Sequence, residues 1–126
     1  MNRILIAEQE PLIARFLERR LESQGYVTAN AADGDQALEM AKSGLFDLLL
    51  LDLRLPGRSG LDVLSRLRPR SRLPVIALSE RNAPAQIVAA LEAGADDCMS
   101  KPYAFAELLA RVRVRLRPRL ARAAAG

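Results

Sequence analysis

Short apolar runs alternate with amphipathic stretches along the whole chain. Arg3–Ala7, Tyr26–Asn30, Phe46–Leu51, Pro74–Leu78 and Asp97–Met99 read as strands. Leu48-Leu49-Leu50-Leu51 has no polar interruption, the pattern of a central strand covered on both faces. Leucine is a poor strand former, so this assignment rests on the length and flanks of the run. Between the strands, Leu12, Ile13, Phe16, Leu17 and Leu21 recur at helical spacing opposite Arg15, Glu18, Arg19 and Glu22, and Gly25 stops the helix. Asp33 to Ser43 makes a second helix closed by Gly44, and Ser59 to Leu67 a third that ends before Pro69. Pro84 suits the first turn of a fourth, Ala85 to Ala93, which Gly94 terminates. The fifth, Ala104 to Arg117, sets Phe105, Leu108, Leu109, Val112 and Leu116 on one stripe and stops at Pro118.

Five strands alternating with five helices predict an α/β fold, a parallel sheet with right-handed crossovers and helices on both faces. A length of 126 residues suits one domain with a substantial core. No apolar run approaches a membrane span, and the opening Met1-Asn2-Arg3-Ile4-Leu5-Ile6 is too short for a signal peptide. Cys98 is the only cysteine and histidine is absent, which excludes an intrachain disulfide framework and a Cys/His zinc site. The expectation is a cytoplasmic protein.

The net charge of +4 suggests nucleic-acid binding until its distribution is considered. Residues 111–126 hold six arginines and no acid, so residues 1–110 keep 13 of the 19 basic groups against all 15 acids, a balance of −2. The body is mildly acidic, and the basicity belongs to the end of the fifth helix and to residues 118–126, which read as a basic tail or linker stub.

In an open α/β sheet, ligands bind beyond the carboxyl ends of the strands. Glu8, Gln9 and Glu10 follow the first strand, Asp52 ends the third, Ser79 ends the fourth and Lys101 follows the fifth. Singly, each has a structural explanation: Asp52 and Ser79 as loop caps, Glu10 as a first-turn acid, Lys101 as a solvated charge. Together at one sheet edge, a carboxylate, a hydroxyl and an amine exceed what capping requires.

The motifs here are specific. Leu50-Leu51-Asp52-Leu53-Arg54-Leu55-Pro56-Gly57-Arg58-Ser59-Gly60 resembles the phosphoacceptor loop of bacterial two-component receiver domains. Val75-Ile76-Ala77-Leu78-Ser79 resembles their fourth strand, and Gly94-Ala95-Asp96-Asp97-Cys98-Met99-Ser100-Lys101-Pro102-Tyr103 their fifth-strand signature with its Lys-Pro pair. The segment Glu107-Leu108-Leu109-Ala110-Arg111-Val112-Arg113 is most similar to the subfamily that carries a winged-helix DNA-binding domain. The resemblance runs from Ile4 to Leu116. It implies a doubly wound, flavodoxin-like sheet of order 2-1-3-4-5 and a receiver over residues 1–117. The implied role is signalling rather than enzymatic turnover. Asp52 would take a phosphoryl group from a histidine kinase, Lys101 would pair with a phosphoryl oxygen, and Ser79 would swing to hydrogen-bond another. Mg²⁺ would sit among Glu8, Asp52, the Arg54 backbone carbonyl and Gln9. The implied switch is Ser79 with Cys98, and the implied interaction face combines helix 4, strand 5 and helix 5 through Val88, Leu91, Glu107, Leu109 and Arg111. A homodimer would use that face, and DNA would be reached only through a further C-terminal domain.

Several positions depart from the family pattern. Gln9 stands where a second acid usually ligates Mg²⁺, which predicts weakened metal affinity. Cys98 replaces the usual ring-bearing switch residue, and as a lone thiol it reads as a packing residue. Glu80 replaces a small residue, and either faces an incoming phosphoryl group or turns to solvent toward Arg81 or Arg54. Ile87 stands where an arginine is usual, so the dimer would keep fewer charge pairs. Two readings follow: a phosphorylated receiver, or a protein-interaction and dimerisation module that works without phosphorylation. A flavin or nucleotide domain does not fit, because no Gly-rich phosphate loop follows the first strand.

Overall fold

The computed structural model describes residues 1–117, so the basic tail expected over residues 118–126 lies outside the described residues. The elements are β1 (Arg3–Ala7), α1 (Pro11–Glu22), β2 (Val27–Ala31), α2 (Gly34–Lys42), β3 (Leu48–Asp52), α3 (Gly60–Leu67), β4 (Val75–Ser79), α4 (Pro84–Glu92), β5 (Asp97–Ser100) and α5 (Phe105–Arg115). All strand pairs are parallel and the sheet order is β2-β1-β3-β4-β5, as the resemblance implies.

Element ends move where local chemistry overrides the hydrophobic pattern. β4 begins after Pro74, which has no N–H for the ladder; its carbonyl alone takes part, accepting from Leu49 N at 2.9 Å. β3 begins at Leu48, because the Asp47 carboxylate accepts from Arg3 N at 2.7 Å and Phe46 turns onto the core. β2 runs from Val27, paired with Arg3, rather than from Tyr26. α5 ends at Arg115, two residues before the expected limit. α2 and α3 are capped by Asp33 and Ser59, whose side chains accept from Gln36 N and Asp62 N.

The sheet divides the core into two layers. Leu49 and Leu51 face α2, α3 and α4 with Leu5, Val75, Leu64 and Leu67, whereas Leu48 and Leu50 face α1 and α5 with Ile4, Ile6, Leu17 and Leu108. That alternation explains the uninterrupted leucine run: every residue of β3 is buried, and its four leucines divide two to each face. Each such leucine contributes about 1.5–3 kcal/mol of transfer free energy, which outweighs its weak strand propensity. The chain passes from β1 outward to β2 and then returns to β3 on the other side of β1. The switch point therefore falls between the carboxyl ends of β1 and β3, where Glu8 and Asp52 emerge.

Candidate functional site

Asp52 closes β3 and is 3% exposed. Gly60 opens α3 directly behind it. A Cβ on Gly60 would stand 2.5 Å from the Asp52 carbonyl oxygen, so glycine alone lets the helix start that close. The Asp52 carboxylate accepts from Lys101 Nζ at 2.5 Å on one oxygen and from Arg54 N at 2.8 Å on the other. Lys101 is set there by the end of β5, where its own N donates to the Ser79 carbonyl at 3.0 Å.

Glu8 is buried beyond β1, its N donating to Ala31 O at 3.0 Å, while Asn30 Nδ2 donates to Glu8 O at 3.2 Å and to Ile6 O at 2.8 Å. Its Oε2 is buried without a hydrogen-bond partner. Burial, with the Asp52 carboxylate alongside, pushes the Glu8 carboxyl up to about 8. For Lys101, burial opposes the charged form, but the hydrogen bond and charge of Asp52, with Glu8 and Glu80 beyond, raise its pKa above the ordinary lysine value. Tyr103, half-buried, is pushed up to about 12 by burial and then by the charges of Glu8 and Asp52.

A hollow of about 420 Å³ opens over Asp52, lined by Gln9, Glu10, Ile13, Asp52, Arg54, Glu80 and Lys101. The oxygens available to a cation are the carboxylates of Glu8 and Asp52 and the Arg54 carbonyl, the hard donors that Mg²⁺ prefers. The unpartnered Glu8 Oε2 fits such a group. The set is thin, because no three of His, Cys, Asp and Glu cluster as a metal site among the described residues. Gln9 directs its amide Nε2, rather than an oxygen, to Arg54 O at 3.4 Å. Glu10 sits at the N-cap of α1 and makes no side-chain cap.

Ser79 is fully buried and its hydroxyl lies against β5, 3.4 Å from Met99 O and 3.2 Å from Ser100 Oγ. Cys98 is partly buried against the α2–α4 layer of the core, and burial pushes its thiol above the ordinary range, as suits a packing residue. Glu80 pairs with Arg54 at 3.4 Å and still lines the mouth of the hollow, so it both turns toward Arg54 and borders the path to Asp52.

On the face formed by α4, β5 and α5, Val88 and Leu91 are about half exposed, at 54% and 48%. Leu109 does not join them: it packs against the α1–α5 layer with Phe105, because it belongs to the core stripe of α5. The exposed apolar residue of α5 on the other side is Val114, which with Asp97, Glu107, Ala110 and Arg111 lines a hollow of about 340 Å³. Arg111 contacts both oxygens of Asp97 at 2.9 Å and Glu107 at 3.1 Å, so its charge is committed within the chain. Among these residues Asp97, Ala110 and Val114 are the three that sequence reasoning passes over. Val114 lies three residues beyond Arg111 and seven beyond Glu107, a spacing that could have revealed it.

Comparison with known proteins supplies the family. A profile described as the response regulator receiver domain matches residues 4–113. The chain is similar to the DNA-binding response regulator MtrA of Mycolicibacterium smegmatis, 44% identical over 116 residues covering 92% of this chain and 51% of MtrA. It is also similar to the response regulator ArlR of Staphylococcus saprophyticus, 42% identical over 93% of this chain and 53% of ArlR. The chain thus spans about half the length of the curated relatives it matches. Among solved structures, the response regulator TrrA of Thermotoga maritima, in complex with Mg²⁺ and BeF, superposes with a TM-score of 0.83 at 33% identity, covering 92% of this chain and 100% of TrrA. With five strands in the order 2-1-3-4-5, Asp52 between Lys101 and the loop after β3, and a family match over residues 4–113, this chain belongs to the response regulator receiver domains of two-component systems.

Proposed function

We propose that Asp52 accepts a phosphoryl group from a histidine kinase and that this changes the face formed by α4, β5 and α5. The observation that carries the reading is the Asp52 carboxylate itself. It is buried in the floor of an open hollow and held by Lys101 Nζ at 2.5 Å and Arg54 N at 2.8 Å. An attacking carboxylate needs little covalent help from its surroundings; positioning and positive charge beside the phosphoryl oxygens do most of the catalysis. Lys101 supplies the fixed positive charge, and the Arg54 N–H orients the carboxylate. Bound Mg²⁺ would add charge neutralisation, held by Glu8, Asp52 and the Arg54 carbonyl, with Gln9 contributing weakly. Ser79 would leave its β5 partners to reach a phosphoryl oxygen. Phosphorylation would thereby bias a pre-existing equilibrium of the output face.

Residues 1–117 then act as the receiver and residues 118–126 as a basic linker in the cytoplasm. The DNA-binding names and greater length of the relatives support a C-terminal effector domain, through which alone DNA would be reached. The output face, with Val88, Leu91, Glu107 and Arg111, would form the homodimer.

A second reading, a module that works without phosphorylation, is favoured by one contact. Gln9 Nε2 donates to Arg54 O, the carbonyl a metal would need. Incubation with Mg²⁺ and acetyl phosphate followed by intact-mass measurement separates the two readings. The parent should gain one phosphoryl group and Asp52→Asn none. An unlabelled parent, beside a related receiver that labels, would leave the second reading standing.

A further inference from the structure

The loop before β4 reads Arg68-Pro69-Arg70-Ser71-Arg72-Leu73-Pro74, with three arginines at alternate positions. They are put to different uses. Arg68 turns inward, donating to Gly94 O at 3.0 Å, Ser71 O at 3.0 Å and Leu73 O at 2.9 Å, while Ser71 Oγ accepts from Leu73 N at 3.1 Å. The loop is thereby held in one shape, and Arg70 and Arg72 stand exposed on it. Among the described residues neither guanidinium has an ion pair, whereas Arg54, Arg58, Arg66, Arg68 and Arg111 all do. Both border a hollow of about 410 Å³ at the amino end of the sheet, between this loop and the turn into β3. Its inner wall is largely apolar, with Ala41 and Leu73 buried and Phe46 and Pro74 half-buried. Leu45, between the lining residues Gly44 and Phe46, is 62% exposed. The rim carries Lys42, Arg70 and Arg72 against one acid, Asp47, whose carboxylate already accepts from Arg3 N at 2.7 Å. Glu39 is held by Lys42 at 2.9 Å in an exposed pair that exchanges at little cost.

We propose that this hollow docks an acidic segment of another protein, one that carries an apolar side chain between carboxylates. The planar forks of Arg70 and Arg72 take the carboxylates, and the inner wall takes the apolar side chain. The fixed shape of the loop lowers the ordering cost of docking. Charge complementarity selects the occupant. Residues 118–126 hold two arginines and no acid, so the rim repels the chain's own end. A nucleic-acid backbone would use the three cations and leave the apolar wall wet. The length of β3, about 13 Å, separates the hollow from Asp52. Docking here neither needs nor blocks chemistry at Asp52, and the inference stands apart from the phosphoacceptor reading.

The test is a titration of the chain, followed by its amide chemical shifts, with a capped Ser-Glu-Asp-Leu-Phe-Glu-Asp peptide. Two control peptides replace Leu-Phe with Ser-Ser or the four acids with their amides, and a thymidine pentanucleotide supplies the same charge without the apolar side chains. The acidic peptide should shift the amides of residues 42–47 and 70–73 with a Kd below about 1 mM. Both control peptides and the pentanucleotide should bind more weakly. The double variant Arg70→Glu/Arg72→Glu should lose about tenfold in affinity with an unaltered Tm, since both side chains are exposed. Asp52→Asn should bind as the parent does. Equal binding of the Ser-Ser peptide or the pentanucleotide would make the hollow a general polyanion surface and overturn the proposal. Unchanged affinity in the double variant, or shifts that map elsewhere, overturns it too. Shifts of the same amides on diluting the free chain would seat a second copy there, which also overturns it.

Discussion

Replacing Gln9 with aspartate puts a full negative charge beside the oxygens that a divalent cation would use. In the parent, the neutral side chain offers its N–H to Arg54 O at 3.4 Å, so the carbonyl is already engaged with a donor. The change acts in two ways: it adds charge, and it removes the competing amide. A unit charge about 5 Å from a divalent ion interacts by about 7 kcal/mol at an effective dielectric of 20, an upper bound. Position 9 is exposed, so solvent and salt reduce that sharply. We expect a net gain of about 2 kcal/mol, roughly thirtyfold tighter Mg²⁺ binding. The chain has no tryptophan and two tyrosines, one of them Tyr103 near the acids, so tyrosine emission gives a titration signal that calorimetry can check. Gln9→Ala separates the two contributions. If relief of the amide contact matters most, alanine should gain nearly as much as aspartate; if charge matters most, alanine should gain little. Should neither variant bind Mg²⁺ more tightly than the parent, the account of this pocket is wrong.

Two further outcomes follow from groups outside that contact. Glu8, ordinarily near 4.5, stands at about 8 in the folded chain, so the folded state holds its proton longer than the unfolded state does. Its stabilising contribution is full below about pH 4.5 and is lost as pH rises through about 8, a decline of about 2–4 kcal/mol without metal. Urea midpoints at pH 6 and pH 8.5 should fall in the parent and stay flatter in Glu8→Gln; equal slopes in both would show that Glu8 is not the source. Arg68 ties three segments together, donating to Gly94 O at 3.0 Å, Ser71 O at 3.0 Å and Leu73 O at 2.9 Å. Arg68→Ala should cost about 2–3 kcal/mol and lower Tm by about 10 °C, checked by a thermal melt.

The fold was legible because both periods are strong. The apolar stripe of α1 and the leucine run of β3 leave one arrangement that buries both. Strand ends were less legible, since Pro74 and Asp47 act as acceptors for the backbone N–H groups of Leu49 and Arg3, which a hydrophobicity pattern does not record. Asp52 and Lys101 could be placed at one sheet edge from topology alone. The direction of the Gln9 amide and the partner of Glu80 could not, because each depends on loop geometry between residues 45 and 26 positions apart. Leu109 is apolar like the residues of an exposed interaction face, but its spacing from Phe105 and Val112 puts it on the buried stripe of α5, and phase decides its place.

The commitment of Arg111 to Asp97 and Glu107 bears on how anything assembles on that face. A partner offering carboxylates gains an ion pair only by dissolving one that already exists, so association there is an exchange with little net electrostatic gain. Affinity must then come from water released by Val88, Leu91 and Val114, while the charges act as a filter, admitting only a partner able to replace what Arg111 gives up. Such an interface would carry the heat-capacity signature of apolar burial and respond only weakly to added salt.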